Sequence, residues 1–191
     1  MPDINNKQYI LLLCISMFLG FIVVSKTVLP QSSSNNPAIS SIPTRKHITI
    51  TSSAFGNEGT IPVTYTCGAE DKNPPLTISG VTSTTKTLAL VVEDPDAPLG
   101  PFVHWVVWNI PPDTKDILAG TVPSFSQQGT NSFNHQRYDG PCPPSRHRYY
   151  FTVFALDISV GLDGKAKKSD LEKAIKGHVL DQAELIGNFG N

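Results

Sequence analysis

Short runs rich in β-branched and aromatic residues recur along the chain, separated by Gly, Pro, Asn and Asp, a pattern that predicts strands and turns. They are "HITITS" (47–52), "IPVTYTC" (61–67), "KTLALVVED" (86–94), "HWVVWNI" (104–110) and "RYYFTVFALD" (148–157). "TLALVVED" lacks clean alternation, as expected of a central strand covered on both faces. In "FVHWVVWNI" a period of two puts His104, Val106 and Trp108 on one face and Val103, Trp105, Val107 and Asn109 on the other. In "HRYYFTVFAL" His147, Tyr149 and Phe151 share a face, opposite Arg148 and Tyr150. One segment, "SDLEKAIKGHVLDQAELIGNFG" (169–190), predicts a helix with Ser169 as N-cap and Glu172 completing a capping box. Leu171, Ile175, Val179 and Ala183 would line its buried face, and Gly177 would weaken it by about 1 kcal/mol. The fold class expected is mainly β: a sandwich with long excursions and a C-terminal α-helix.

The N-terminal pattern differs. Tyr9 to Val24, "YILLLCISMFLGFIVV", is an apolar run without charge and includes Cys14. It is longer than most signal-peptide cores and slightly short of the roughly 20 residues that span a bilayer. Residues 1–29 therefore read as a single membrane anchor or a removable signal peptide. Residues 30–45, "PQSSSNNPAISSIPTR", are too polar to build a core and read as a tether. The folded domain is expected over 46–191, outside the cytoplasm, where Cys67 and Cys142 have an oxidising environment in which to pair.

Charge narrows the possible partners. Fifteen Lys and Arg against sixteen Asp and Glu leave a net charge of -1, so no global basic field draws nucleic acid, and any anion site must be local. Sixteen Pro and fourteen Gly, mostly between the predicted strands, supply the turns a β domain needs.

Candidate chemistry collects at two stiff loops. "VVEDPDAPLGPFVHW" (91–105) places Glu93, Asp94 and Asp96 at the end of the predicted central strand, with Pro95 and Pro98 rigidifying the exit. If the flanking strands are neighbours, Asp94 comes within hydrogen-bond reach of His104 and sets its tautomer, while Asp96 supports the turn. "YDGPCPPSRHRYY" (138–150) again starts a strand with a histidine, His147, directly after a Gly/Pro loop. Two such histidines with Tyr149 suggest a small pocket offering imidazole and phenol donors to a phosphate-sized anion. Cationic imidazoles would strengthen anion binding as pH falls, with the second ionisation of phosphate near pH 6 acting in opposition.

"DPDAP" followed by "HWVVWNI", then "GPCPPSRHRYYFTVFALD" and the ending "GHVLDQAELIGNFG", resemble the phosphatidylethanolamine-binding protein family, in particular its bacterial Raf-kinase-inhibitor-like branch, over about residues 46–190. The resemblance implies a Greek-key β-sandwich and an anion pocket for phosphate groups, including phospholipid head groups. Position by position, it carries the pocket to Asp94, Asp96, His104, His147 and Tyr149, with a wall from Gly140, Pro141, Pro143 and Pro144. The single histidine before Trp105 and the short turn ahead of it depart from eukaryotic members, so eukaryote-type partner surfaces are not expected.

Three function classes follow. The reading favoured is a non-catalytic protein that binds phosphate or a phospholipid head group, without cofactor or metal. An inhibitor or interaction protein docking a phosphorylated or acidic peptide is the alternative. A hydrolase built on the Asp/His cluster is the weakest, since no "HExxH" spacing occurs and no serine or cysteine has an evident base partner; Cys142 is its best nucleophile.

Overall fold

The computed structural model of the chain describes residues 47–191, so the apolar run and the tether lie outside it. Among the described residues the strands are β1 (Thr49–Thr51), β2 (Gly59–Thr60), β3 (Leu76–Ser79), β4 (Thr87–Asp94), β5 (Phe102–Ile110), β6 (Asp116–Ile117), β7 (Gln127–Gln128), β8 (His147–Leu156) and β9 (Val179–Phe189). The helix α1 (Lys168–Ile175) precedes β9.

Two sheets result. The smaller has the order β1-β3-β6, and the larger, mixed sheet has the order β2-β9-β8-β4-β5-β7. β4 pairs antiparallel with both β5 and β8, so the long connection after β5 returns the chain to the far side of β4. Parallel pairing occurs where β2 meets the end of β9.

Side-chain alternation along β4 explains its apolar run. Leu88, Leu90 and Val92 pack with Ile50, Ile78, Trp105 and Phe151 between the sheets. Ala89 and Val91 pack on the opposite face with Val106, Trp108, Leu171 and Ile175, beneath α1. Both faces are thus sealed, and each large aliphatic side chain buried there contributes about 1.5–3 kcal/mol.

The C-terminal segment departs from the helix expected over 169–190. Helix α1 starts earlier, with Lys167 rather than Ser169 at the N-cap position, and Asp170 rather than Glu172 accepts the Lys167 N–H at 3.1 Å. Leu171 and Ile175 are buried as anticipated. The helix then stops at Lys176, where ψ turns to 119°, and Gly177 takes φ +84°, a left-handed conformation that favours glycine. From Val179 the chain runs as β9 along the whole of β8, from Leu156↔Val179 to His147↔Phe189. A spacing of four residues lines one face of a helix and equally one face of a strand, so Val179 and Ala183 could not distinguish the two. Ten paired positions on β8 decide for the strand.

"IPVTYTC" is likewise no strand. Val63–Tyr65 form a 3-10 turn, closed by the Thr66 hydroxyl donating to the Val63 carbonyl at 2.8 Å. β3 carries no long β-branched run and was absent from the strands expected; it is held between β1 and β6 by long-range pairing.

Candidate functional site

Two β-bulges in β5 set the site. Opposite Leu88 and Leu90 the partner positions are Ile110 and Val107, so the chain takes an extra residue, and Asn109 adopts φ +56° with its amide exchanging hydrogen bonds with Val160 (2.9 and 2.7 Å). Nearer the loop, Val92 pairs with Trp105 but Glu93 pairs with Val103, leaving His104 as the extra residue. Strict alternation placed His104 with Val106 and Trp108. The bulge overturns that: Val103 joins the face under α1, and His104 turns to the face of Asp94 and Tyr149. Re-aiming one side chain is a common consequence of a bulge.

The three carboxylates at and just beyond the end of β4 find three different nitrogen partners. Glu93 pairs with Lys168 of α1. Asp94, buried, accepts from His147 Nδ1 at 2.7 Å. Asp96 accepts the Arg148 backbone N–H at 3.0 Å and its guanidinium at 2.9 and 2.6 Å, fastening the turn to β8. These Arg148 hydrogen bonds hold the Asp96 carboxyl at about 2, well below the ordinary carboxylate value.

His104 has a different partner from the one expected. Its Nδ1 lies 2.6 Å from the backbone carbonyl of Asp139, not on Asp94. A carbonyl only accepts, so Nδ1 carries the proton and Nε2 is left as the second ring nitrogen. The Asp139 carboxylate anchors this wall, taking Asn131 Nδ2 at 2.6 Å, His135 Nδ1 at 2.9 Å and Arg137 Nε at 2.9 Å. Asn131 also donates to the His104 carbonyl at 3.2 Å. Burial pulls His104 below the ordinary imidazole value, against the Asp139 carbonyl and the charges of Asp94, Asp139 and Asp71. Burial, with the neighbouring Asp94 charge, pushes the Tyr149 phenol up, so it stays protonated.

These groups form the floor of a cavity of about 210 Å³. Phe102, Phe133, Ala97, Pro98, Pro143 and Pro144 make its collar, with Cys142 beside them. The His104 ring meets Tyr149 edge-on at 5.3 Å and lies 5.4 and 5.8 Å from Phe102 and Phe133. No described residue hydrogen-bonds to Nε2 of His104 or of His147. Among the described residues the only sealed side-chain polar atom without a partner is Trp108 Nε1, so both Nε2 atoms open on the cavity. The space is smaller than the roughly 300–1,000 Å³ of drug-sized sites and suits a head-group-sized ligand. Among the described residues no cluster of three His, Cys, Asp or Glu side chains is arranged to hold a metal ion.

The family model for phosphatidylethanolamine-binding protein matches residues 51–190, a span that holds every element of the sheets except Thr49 and Ile50 and the entire pocket. The chain belongs to the phosphatidylethanolamine-binding protein family. Its relatives include the UPF0098 protein of Pyrococcus horikoshii, 44% identical over 149 residues, 72% of this chain and 74% of the relative. The UPF0098 protein of Methanothermobacter thermautotrophicus is 46% identical over 142 residues, 71% and 94% of the two chains. The crystal structure of a phosphatidylethanolamine-binding protein homologue from Chlamydia trachomatis matches with TM-score 0.74 at 36% identity, covering 76% of this chain and 99% of that one. YbcL of E. coli, described as a member of the mammalian family, matches with TM-score 0.72 at 26% identity over the same shares.

In this member of the family, four of the residues singled out from sequence, Asp94, His104, His147 and Tyr149, meet at one cavity, and Pro143 and Pro144 line it. Gly140 and Pro141 do not reach the cavity; they lie behind its wall. The Gly140 N–H donates to Asp71 Oδ1 at 2.6 Å, and the Pro141 carbonyl accepts the Cys67 N–H at 3.1 Å. A Cβ on Gly140 would stand 2.5 Å from the Tyr65 carbonyl oxygen, a closeness that only glycine permits. Cys67 and Cys142 are joined, with Cα atoms 5.5 Å apart, and the Tyr138 hydroxyl donates to the Tyr65 carbonyl at 3.0 Å, so the loop is stitched to segment 65–71 along its length. Sequence reasoning missed Phe102, Phe133, Asn131 and Asp139. Phe102 and Asp139 stood within the quoted loops, but Asn131 and Phe133 lie in a stretch without strand periodicity, which long-range hydrogen bonds bring to the pocket.

Proposed function

We propose that this member of the family is a binding protein whose pocket takes phosphate-bearing ligands, phospholipid head groups among them. The observation that carries the reading is the convergence of His104 Nε2, His147 Nε2 and the Tyr149 phenol on a cavity of about 210 Å³. Asp94 accepts Nδ1–H of His147, leaving Nε2 to face the cavity, where the protonated ring would donate to a phosphoryl oxygen. Tyr149, kept protonated, supplies a second donor. The collar of Phe102, Phe133 and proline would exclude water around the bound group and strengthen these bonds. Cys142, the thiol considered as a nucleophile, is consumed by its disulfide, which removes the main support for the hydrolase reading.

The apolar run at 9–24 and the tether at 30–45 would hold the domain beside a membrane on its extracytoplasmic side, within reach of phospholipid head groups. Both lie outside the described residues, and among the described residues no helix is long and apolar enough to cross a membrane.

Calorimetry on the full chain in a phosphate-free detergent, with inorganic phosphate and with glycerophosphoethanolamine at pH 6, tests the reading. Binding that His147→Ala and Tyr149→Phe each weaken supports it. An absence of heat at millimolar ligand, or unchanged binding in both variants, refutes it.

A further inference from the structure

We propose that the pocket selects oxyanions that bring their own proton, hydrogen phosphate and phosphomonoester monoanions, over proton-free oxyanions of the same shape, because His104 Nε2 is a fixed acceptor. The proposal rests on the anion-pocket reading and ranks its ligands: a phospholipid head group, a proton-free diester, is taken more weakly than a phosphomonoester.

The fixed acceptor follows from the hydrogen-bond order around His104. Its Nδ1–H is committed to the Asp139 carbonyl at 2.6 Å, and the return bond from Asp139 N–H to the His104 carbonyl (3.2 Å) locks the two strands of chain together. The Asp139 carbonyl is fixed in turn by a carboxylate that Asn131, His135 and Arg137 hold from three directions. The ring therefore has no second tautomer within reach, since turning Nδ1–H away would leave a buried carbonyl and a buried imidazole nitrogen unpaired. Nε2 then presents a lone pair to the cavity whenever His104 is neutral.

The groups facing this ring are Asp94 from β4, His147 and Tyr149 from β8, and Asp139 and Asp71 from the loops, with Phe102 and Phe133 as uncharged walls. Three carboxylates favour a cation here, yet burial outweighs them and keeps His104 below the ordinary imidazole value. A phosphoryl oxygen without a proton would thus set its lone pair against the lone pair of Nε2. A P–OH donates to Nε2, while the remaining oxygens accept from His147 and Tyr149. The ligand's second ionisation, which by itself opposes anion binding at low pH, becomes the source of the shared proton.

Sulfate matches phosphate in size and tetrahedral shape and carries no proton at the pH values concerned; a phosphodiester is likewise proton-free. Either binds only by protonating His104 against its burial. A site built around one donor–acceptor pair rejects the ligand lacking it by large factors. Titrations of the full chain at pH 6 compare inorganic phosphate, phosphoethanolamine, sulfate and glycerophosphoethanolamine. The first two are expected to bind at least ~10-fold more tightly than the last two. Phosphoethanolamine affinity is expected to fall at least ~10-fold per pH unit above its second ionisation near pH 6, one linked proton coming from the ligand itself. His104→Gln, whose amide can donate, is expected to raise sulfate towards phosphate and flatten the pH dependence. Sulfate equal to phosphate in the wild type, or a preference that survives His104→Gln, overturns the proposal while leaving an anion pocket in place. Silence from all four ligands overturns both. The inorganic phosphate and phosphoethanolamine arms separate free phosphate from an organic phosphate as the preferred source.

Discussion

His147, not His104, holds the carboxylate of Asp94: Nδ1 and Oδ2 stand 2.7 Å apart, both side chains buried, bridging the start of β8 to the end of β4. The two pocket histidines are therefore different instruments. His147 is supported by a charge and His104 by a carbonyl. Asp94→Asn keeps an acceptor for Nδ1–H but exchanges a charge-assisted hydrogen bond for a weaker neutral one, so the ring is held less firmly and inorganic phosphate affinity at pH 6 is expected to fall ~10-fold. Asp96→Asn, facing Arg148 instead, is expected to leave it within ~2-fold. Titration calorimetry on both variants checks the contrast, and equal effects would contradict the assignment.

The pocket wall depends on the bond between Cys67 and Cys142. It closes a loop across a sequence separation of 75, for which restricting the unfolded chain stabilises the fold by ~4 kcal/mol. Cys67→Ser/Cys142→Ser is expected to lower the free energy of unfolding by ~2–4 kcal/mol in a denaturant titration. Adding reductant to the wild type should reproduce the loss, whereas the double variant should be insensitive to it.

Gly140 is a packing residue rather than a ligand contact. Gly140→Ala would push a methyl to 2.5 Å from the Tyr65 carbonyl oxygen and 2.8 Å from the Thr66 Cα, both backbone atoms with little freedom beside the disulfide. A loss of at least ~2 kcal/mol is expected from such overpacking. Thermal unfolding followed by circular dichroism measures it, and a variant as stable as wild type would show that the wall can shift.

Asp96 predicts an acid-side dependence. Its carboxyl titrates at about 2 in the fold against 3.8 in the free group, so the unfolded chain takes up the proton first as pH falls. The stabilisation from Asp96 is complete above about pH 4 and disappears as pH drops through about 2. Carboxyl NMR titration should give the low midpoint directly, and Arg148→Gln should return it towards the ordinary value.

Legibility in the sequence varied with the range of the interaction that each element required. β4, β5 and β8 were readable because their apolar runs announce burial locally. Asp94, His104, His147 and Tyr149 were readable as site candidates because each stands where such a run meets a stiff loop. Partner choice was not readable. Asp94 sits ten residues from His104 and fifty-three from His147, yet antiparallel pairing of β4 with β8 brings the distant histidine to it. The facing of His104 was misjudged for a related reason: a one-residue bulge reverses alternation, and no residue type near 104 signals it.

The chain's own pattern thus determined that the domain is mainly β, that β4 is central and that acids and histidines gather at strand ends. These follow from burial and backbone preference acting over a few residues. Tertiary structure alone decided that Val179–Phe189 is a strand, since a four-residue apolar spacing satisfies helix and strand alike until β8 supplies the hydrogen bonds. It also decided that His104 presents a lone pair, because a tautomer is set by whichever acceptor the fold places against the other nitrogen, here a carbonyl thirty-five residues away.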